Sequence, residues 1–113
     1  MELTNLKKKL VNEQKERKRK AEYLKRMLTE KGIPVFKKYG IQRVILFGSI
    51  INGMCTETSD IDILVAPLDN KKYWKFLHEI EEVVNLPIDL YTDGDDSVFV
   101  QKIIDRGEVF YEV

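Results

Sequence analysis

The first third of the chain has the composition and spacing of a helix. Residues 3 to 31 contain no Gly or Pro and are rich in Leu, Lys, Glu and Arg, which predicts one long helix or two in tandem. Its apolar residues form two groups on either side of the polar run Asn12 to Lys20, namely Leu3, Leu6, Leu10 and Val11, then Ala21, Tyr23, Leu24, Met27 and Leu28. We expect only the second group to join the core. The first group either packs on another chain or frays in solution.

The rest of the chain alternates strand-like and helix-like patterns. Gly32 is expected to end the long helix, Pro34 to begin a short one, and Gly40 to close it in the left-handed conformation. The β-rich runs are residues 43–47, 61–66 and 86–91, with a short edge strand at 109–113. Apolar residues at helical spacing between the second and third runs predict a crossover helix, so those two strands should be parallel. With a last helix at 98–105, the pattern predicts an α+β fold with a small mixed β-sheet.

Size and composition narrow the class of protein. A chain of 113 residues with 43% hydrophobic and 34% charged residues is typical of one globular domain. The sequence shows neither an apolar leader nor the ~20 apolar residues that a membrane span needs, so we expect a cytoplasmic protein. Because Cys55 is the sole cysteine, an internal disulfide and a cysteine-based zinc site are excluded.

The zero net charge conceals a strong asymmetry along the chain. Residues 1–40 carry 13 Lys and Arg against 5 Asp and Glu, whereas residues 41–113 carry 6 against 14. A basic arm therefore precedes an acidic body. The arm either meets phosphate or an acidic partner, or is simply a solvated helix face.

Two aspartates in the second predicted strand are candidate metal ligands. Asp60 and Asp62 alternate with Ile61 and Ile63, so their side chains point to the same side, roughly 6 to 7 Å apart at the backbone. Two carboxylates in an apolar run repel each other, and a divalent cation such as Mg²⁺ or Mn²⁺ removes that cost. The alternative is a turn or helix cap at Asp60 and an exposed strand end at Asp62. Asp89, a third acid inside an apolar strand, favours a site.

Gly48 and Ser49 directly follow the first predicted strand. A glycine lets the backbone approach a ligand closely, and exposed N–H groups with a hydroxyl can bind phosphate oxygens. Alone, a Gly-Ser pair is an ordinary turn. Here ten residues separate it from Asp60.

These motifs together resemble a known family. Leu46-Phe-Gly-Ser49, Gly53 and Ser59-Asp-Ile-Asp-Ile-Leu-Val65 are similar to the minimal nucleotidyltransferases of the polymerase-beta-like superfamily. The resemblance runs from about Gly40 to the end, with residues 88–90 supplying the third acid and 106–111 the closing strand. It implies a polymerase-beta-like nucleotidyltransferase domain at residues 32–113, preceded by a basic helical extension at 1–31.

The resemblance also implies roles for individual residues. Gly48 and Ser49 would bind the triphosphate of a substrate such as ATP, and Asp60 and Asp62 would ligate the metal ions. Asp89 would complete the metal site and help to deprotonate the attacking hydroxyl. The reaction would be in-line attack on the α-phosphate with pyrophosphate leaving. One departure is Asn52, which stands where many members have an Arg.

Short members of the family resemble the antitoxin half of toxin-antitoxin pairs. In that reading the chain adenylylates a tyrosine of a partner toxin with a HEPN domain. Alternatives are the nucleotide-binding subunit of a small-molecule nucleotidyltransferase, or a non-catalytic module that binds a protein or, less favoured, nucleic acid through its basic arm. A homo-oligomer is also compatible with the exposed apolar group of the first helix.

Three other features receive structural interpretations. Tyr73 and Trp74 are expected to be packing residues. His78 is expected to be a surface or satisfied histidine. The acidic cluster at residues 93–96 is expected to form a turn that caps the following helix.

Overall fold

The structure, a computed structural model, describes residues 2–52 and 60–113. Gly53, Cys55 and Ser59, which figured in the sequence analysis, lie outside the described residues. The side chains of Leu3 and Asn52 lie outside them as well.

A four-stranded mixed sheet forms the centre of the molecule. Its strands are β1 (Arg43–Phe47), β2 (Ile61–Ala66), β3 (Ile88–Thr92) and β4 (Glu108–Glu112), in the spatial order β3-β2-β1-β4. Strand β1 is antiparallel to both β2 and β4, while β2 and β3 are parallel. The predicted α+β class with a mixed sheet is confirmed, and β4 lies at an edge as expected.

Strand β3 begins two residues later than predicted. Residue 87 is a proline, which has no N–H to donate to a neighbouring strand. Its carbonyl nevertheless accepts a hydrogen bond from the Ile61 N–H at 3.1 Å, so the chain is already held beside β2 at this point.

The N-terminal helix is longer than predicted. Helix α1 (Glu2–Met27) passes through a π-helical turn (Leu28–Gly32) into α2 (Ile33–Lys38). The prediction that Gly32 ends the helix is wrong, because Gly32 keeps helical dihedral angles and the N–H of Ile33 donates to the Leu28 carbonyl. Gly32 is buried where α4 crosses, so its small size serves packing. Gly40, by contrast, has the expected left-handed φ of +70° after α2.

The short helix α3 (Ser49–Asn52) and a 3₁₀ turn (Asn70–Lys72) were not predicted. Helices α4 (Tyr73–Val84) and α5 (Ser97–Arg106) lie where the sequence predicts the crossover helix and the last helix. Helix α4 is the crossover that makes β2 and β3 parallel. The Asp96 carboxylate accepts the N–H groups of Val98 and Phe99, which confirms the acidic turn as the cap of α5.

The two faces of the sheet carry unequal cores. The larger core lies between the sheet and α1, α2 and α4, and the helices contribute Ala21, Leu24, Leu28, Val35, Phe36, Phe76, Ile80 and Val84. Among the helices in residues 2–52 and 60–113, α5 covers the opposite face, where Ile103 packs on Ile45 and Leu64. Because strand side chains alternate, Asp62 shares this second face with Leu64. Helix α5 therefore covers the face that carries the candidate acids.

The first half of α1 extends away from this body. Leu6, Leu10 and Val11 are 54%, 51% and 48% exposed, whereas Ala21 and Leu24 are buried, as predicted for the two apolar groups. The Cα radius of gyration is 16.0 Å, against about 13 Å for a compact domain of this length. No helix within residues 2–52 and 60–113 is long and apolar enough to cross a membrane.

Helix α4 carries Tyr73, Trp74 and His78, the three side chains for which the sequence predicts structural roles. Tyr73 is partly buried and packs against the larger core, as expected. Trp74 is 75% exposed and contacts the ring of Tyr73 edge-on, so the prediction that it is a packing residue is wrong for the core of the domain. Helix α4 turns its apolar stripe inward, and position 74 falls on the outer side of that stripe. His78 is exposed on α4 near Glu82, which agrees with a surface histidine.

Candidate active site

The register of the parallel strands brings two of the three candidate acids side by side. Asp62 on β2 is paired with Asp89 on β3, and a hydrogen bond links their side chains. On its other side Asp62 faces Phe47, the last residue of β1. Asp60 lies just before β2 and is exposed. The structure thus gathers the three predicted acids at one end of β2 and β3.

The environment of Asp62 penalises its charged form. Partial burial is the largest cause, followed by the negative charge of Asp89 and the hydrogen bond with it, then the charge of Asp60, and together they raise the pKa of Asp62 to about 6. Asp62 is therefore the carboxylate that gains most from a nearby positive charge.

Burial and the negative charges of nearby aspartates also raise the pKa values of two neighbouring tyrosines, Tyr91 and Tyr73. Burial, and then the charges of Asp89 and Asp62, raise the pKa of Tyr91. Burial, followed by the charge of Asp95, raises the pKa of Tyr73, whose hydroxyl donates to the Leu90 carbonyl at 2.9 Å. Both phenols stay protonated at neutral pH, so they can donate hydrogen bonds but cannot serve as bases.

Gly48 is required at its position for two reasons. Its φ of +75° lies in the left-handed region, which other residues rarely adopt. A Cβ at this position would also collide with the carboxylate oxygen Oδ2 of Asp62. The backbone that follows β1 therefore lies directly against the central carboxylate of the site.

Ser49 is the first residue of α3 and is half-buried. The turn that holds it is closed by a hydrogen bond from the Ile51 N–H to the Gly48 carbonyl at 3.1 Å. This turn fixes Ser49 directly after the glycine that touches Asp62, as the resemblance implies.

A cavity of about 290 Å³ opens beside Gly48, between the end of β1 and α5. Its lining residues are Phe47, Gly48, Ile51, Phe99, Lys102, Ile103 and Arg106. Next to it, the ring of Tyr91 lies between Phe47 and Phe99, at centroid distances of 5.3 and 5.2 Å. Gly48 is the shared boundary between this cavity and the carboxylates.

Sequence reasoning missed the contribution of α5 to this cavity. The available signal was the spacing of Phe99, Lys102, Ile103 and Arg106, which places all four on one helical face. That spacing also fits an ordinary amphipathic helix with a solvated edge, so the pattern alone does not single out a site.

The donor set of this region fits a hard divalent cation. Oxygen ligands from carboxylates suit Mg²⁺ and Mn²⁺, which complete their coordination with water and substrate phosphate. The mutual repulsion recorded in the raised pKa of Asp62 is the cost that such an ion would remove. Within the described part of the chain, no three His, Cys, Asp or Glu side chains are already arranged around one point. The pair Asp62–Asp89 is the nearest approach to such a site.

Comparison with known proteins gives one family. The family described as polymerase beta nucleotidyltransferase matches residues 30–113. Two relatives from Methanocaldococcus jannaschii are named as protein adenylyltransferases. One, MJ0435, is 37% identical over 68 residues, which cover 58% of this chain and 73% of the relative. Another, MJ1379, is 32% identical over 79 residues, covering 65% and 79%.

Solved structures show the same fold. A chain of a crystal structure of a toxin-antitoxin with AMP-PNP superposes with a TM-score of 0.63 at 26% identity, covering 72% of this chain and 70% of that one. A chain from a complex of a tri-AMPylated HEPN toxin of Shewanella oneidensis with an MNT antitoxin gives a TM-score of 0.57 at 22% identity, covering 82% and 73%. The second similarity concerns the fold alone.

The family match, the named relatives and the shared fold agree on the class of protein. The chain belongs to the polymerase beta nucleotidyltransferase family and is a nucleotidyltransferase similar to protein adenylyltransferases.

Proposed function

We propose that this protein transfers AMP from ATP to a tyrosine hydroxyl of a HEPN-domain toxin and thereby acts as its antitoxin. The observation that carries the proposal is the contact of Gly48 with Asp62, which itself pairs with Asp89. A phosphate-binding turn and paired carboxylates are thus contiguous. That is the arrangement that a phosphoryl-group transfer requires.

Asp62 and Asp89 hold the metal ion in this proposal, and Asp60 joins them from the exposed position before β2. A bound Mg²⁺ or Mn²⁺ would neutralise these carboxylates and stabilise negative charge on the α-phosphate. Because Gly48 bears no side chain, the phosphates can approach the backbone N–H groups of this turn closely. Ser49 offers its hydroxyl to the same phosphates.

Asp89 is the proposed base for the acceptor. It is exposed, whereas Asp62 is half-buried against Gly48, so an incoming tyrosine can reach Asp89 more easily. The phenolic proton passes to Asp89 as the phenolic oxygen forms a bond to the α-phosphorus. The bond between that phosphorus and the oxygen bridging to the β-phosphate breaks, and pyrophosphate leaves with the electron pair.

The acceptor and the nucleotide are suggested by the neighbours of the chain. Its relatives are named as protein adenylyltransferases, and its structural neighbours include a toxin-antitoxin with AMP-PNP and a tri-AMPylated HEPN toxin with its antitoxin. A protein tyrosine as acceptor and ATP as donor follow most directly from these similarities.

Mass spectrometry of the candidate toxin tests the proposal. The chain is co-expressed with the HEPN-domain product of a neighbouring gene, and the intact mass of that product is measured with and without Asp62→Asn. We expect discrete AMP increments with the wild-type chain, none with Asp62→Asn, and normal increments with the exposed control Asp93→Asn.

The same samples separate the alternatives. If α-labelled ATP labels a small-molecule acceptor and not the protein, the chain serves a small-molecule transferase. A complex that forms and silences the toxin without any added mass would instead support a non-catalytic binding module, which the Asn52 departure keeps open.

A further inference from the structure

Helix α5 presents two positive side chains to the cavity beside Gly48. Lys102 and Arg106 are four residues apart, so they lie one above the other on the same face of α5. Both line the cavity of about 290 Å³ together with Gly48. The rest of its wall is apolar, supplied by side chains such as Phe47, Phe99 and Ile103.

These two cations are not used in ion pairs with the residues that the structure describes. Arg43 pairs with Glu112, and Lys25 and Lys38 pair with Glu108 and Glu79, but neither Lys102 nor Arg106 has such a partner in 2–52 or 60–113. Residues 41–113 carry only 6 Lys and Arg against 14 Asp and Glu. Two of those six line the cavity next to the carboxylates, in a body that is otherwise strongly acidic.

The position of α5 is set by a close contact with the sheet. A Cβ on Gly107 would lie 2.7 Å from the Ile103 carbonyl oxygen and 2.8 Å from that of Leu46. Glycine thus lets the end of α5 approach β1 closely enough to bring Arg106 over the cavity. The cations are held by packing rather than by a mobile loop.

A triphosphate at Gly48 would meet an electrostatic problem. Asp60, Asp62 and Asp89 would repel it, and the residues 48–52 that follow β1 include no Lys or Arg. A metal ion compensates the carboxylates but leaves the outer phosphates without a cation from the motif itself. Lys102 and Arg106 line the same cavity as Gly48 and supply positive charge next to it.

We propose that Lys102 and Arg106 of α5 bind the polyphosphate of the nucleotide beside Gly48. This inference rests on the proposed nucleotide-dependent function. It makes α5 the second wall of the nucleotide site, opposite β1. The competing interpretation is that Arg106 only stabilises the C-terminal end of α5 and that Lys102 is solvated.

Direct binding measurements test this assignment. Dissociation constants for ATP, for pyrophosphate and for adenosine are measured by calorimetry in the full chain with Mg²⁺. The variants are Lys102→Gln, Arg106→Gln and the conservative Lys102→Arg. Lys71→Gln, which removes an exposed cation outside the cavity, is the matched control.

Loss of a charge-assisted contact should weaken ATP and pyrophosphate binding about tenfold in each Gln variant. Adenosine binding should not change, because it has no phosphate. Raising the salt concentration should weaken ATP binding less in the Gln variants than in the wild type, since fewer charges remain to be screened. Lys102→Arg and Lys71→Gln should behave as the wild type.

Unchanged affinity for ATP and pyrophosphate in both Gln variants would overturn the assignment. If, in addition, only Arg106→Gln lowers the melting temperature, the role of Arg106 is purely structural. If the wild-type chain itself binds neither ATP nor pyrophosphate, the proposed function fails together with this inference. The two failures are therefore distinguishable in one set of measurements.

Discussion

The carboxyl group of Asp62 makes the stability of the protein depend on pH. Its pKa is about 6 in the fold and about 3.9 in an unfolded chain. The folded state therefore binds this proton more tightly, so the stabilising contribution of the protonated Asp62 is fully present below pH 4. Stability falls as the pH rises from about 4 to about 6, because Asp62 must ionise beside Asp89.

We expect Asp62→Asn to remove most of this pH dependence. The full shift corresponds to about 3 kcal/mol, and because Asp62 is only partly buried, solvent screening reduces the effect to about 1 kcal/mol. In the absence of divalent metal, Asp62→Asn should be more stable than the wild type at pH 8 and not at pH 4. Urea unfolding at both pH values with a chelator present checks this, with Asp93→Asn as the control. A wild-type stability that rises between pH 4 and 6 relative to Asp62→Asn would contradict it.

Asp89 is expected to differ from Asp62 in its effect on catalysis. If Asp89 serves as base and secondary metal ligand, Asp89→Asn should keep much of the affinity for Mg²⁺-nucleotide and lower the rate ~10²-fold or more. Nucleotide affinity, melting temperature and single-turnover rate are measured on the same variant. A near-normal rate per folded molecule, together with altered stability, would show that Asp89 only closes the strand end.

Ser49 tests the phosphate-binding turn from the other side of the site. Ser49→Ala should weaken nucleotide binding by about 1 to 2 kcal/mol, the size expected for a lost hydrogen bond to a charged group. Titration with ATP measures this, and Ser97→Ala at the exposed start of α5 is the matched control. Equal affinities of Ser49→Ala and the wild type would place the triphosphate elsewhere.

At the scale of elements, local patterns predicted the strands better than the helix ends. The bounds of β1 and β2 agree with the predicted runs because buried β-branched residues there are flanked by turn residues. Gly32 misled the prediction because its role depends on α4, which packs against it from a distant part of the sequence. A sequence pattern indicates the intrinsic propensity of a residue, but it does not show which distant helix or strand will pack against that residue.

The candidate site divides in the same way. Its motif residues, Gly48, Ser49 and the three acids, were identified because their spacing is itself a signal. The cavity wall on α5 was not, since Lys102 and Arg106 acquire meaning only when α5 lies across β1 beside Gly48. A single sequence does not show which helices and strands that are distant in the chain will lie next to each other.

Gly107 controls the placement of α5 and gives a prediction at this scale. Because a Cβ would meet the carbonyl oxygens of Ile103 and Leu46 at 2.7 and 2.8 Å, Gly107→Ala should cost about 1 to 3 kcal/mol of stability. It should also weaken nucleotide binding, as α5 moves away from β1. Gly94→Ala is the matched control, because its nearest atoms lie at 3.5 and 3.6 Å. Thermal unfolding and ATP titration of both variants check this, and equal stability would show that α5 is loosely attached.

At the scale of the whole molecule, charge and shape divide the chain into an arm and a body. The arm is the projecting first half of α1, in which residues 6–16 are all exposed, whereas Ala21 is the first described residue of the helix that is buried. The family match begins at residue 30, so the arm lies outside it. We propose that residues 1–31 form a basic extension of a nucleotidyltransferase domain at 32–113, although the last turns of α1 are packed in the core of that domain.

Deleting residues 1–12 should separate folding from partner binding. The truncated chain should unfold cooperatively, with a free energy of unfolding within about 0.5 kcal/mol of that of the full chain. The reason is that Ala21 is the first described residue that belongs to the core. Its affinity for the proposed toxin partner should fall, since both the apolar group Leu6, Leu10 and Val11 and the charges of Lys7 to Lys9 are lost. A full-length variant with Leu6, Leu10 and Val11 replaced by Ser keeps every charge and shows which of the two matters.

If that variant binds normally and the deletion does not, the arm acts by charge, and the affinity should fall steeply with salt. Normal binding by the deletion would identify the arm as a solvated helix, and loss of cooperative unfolding would show that it supports the fold.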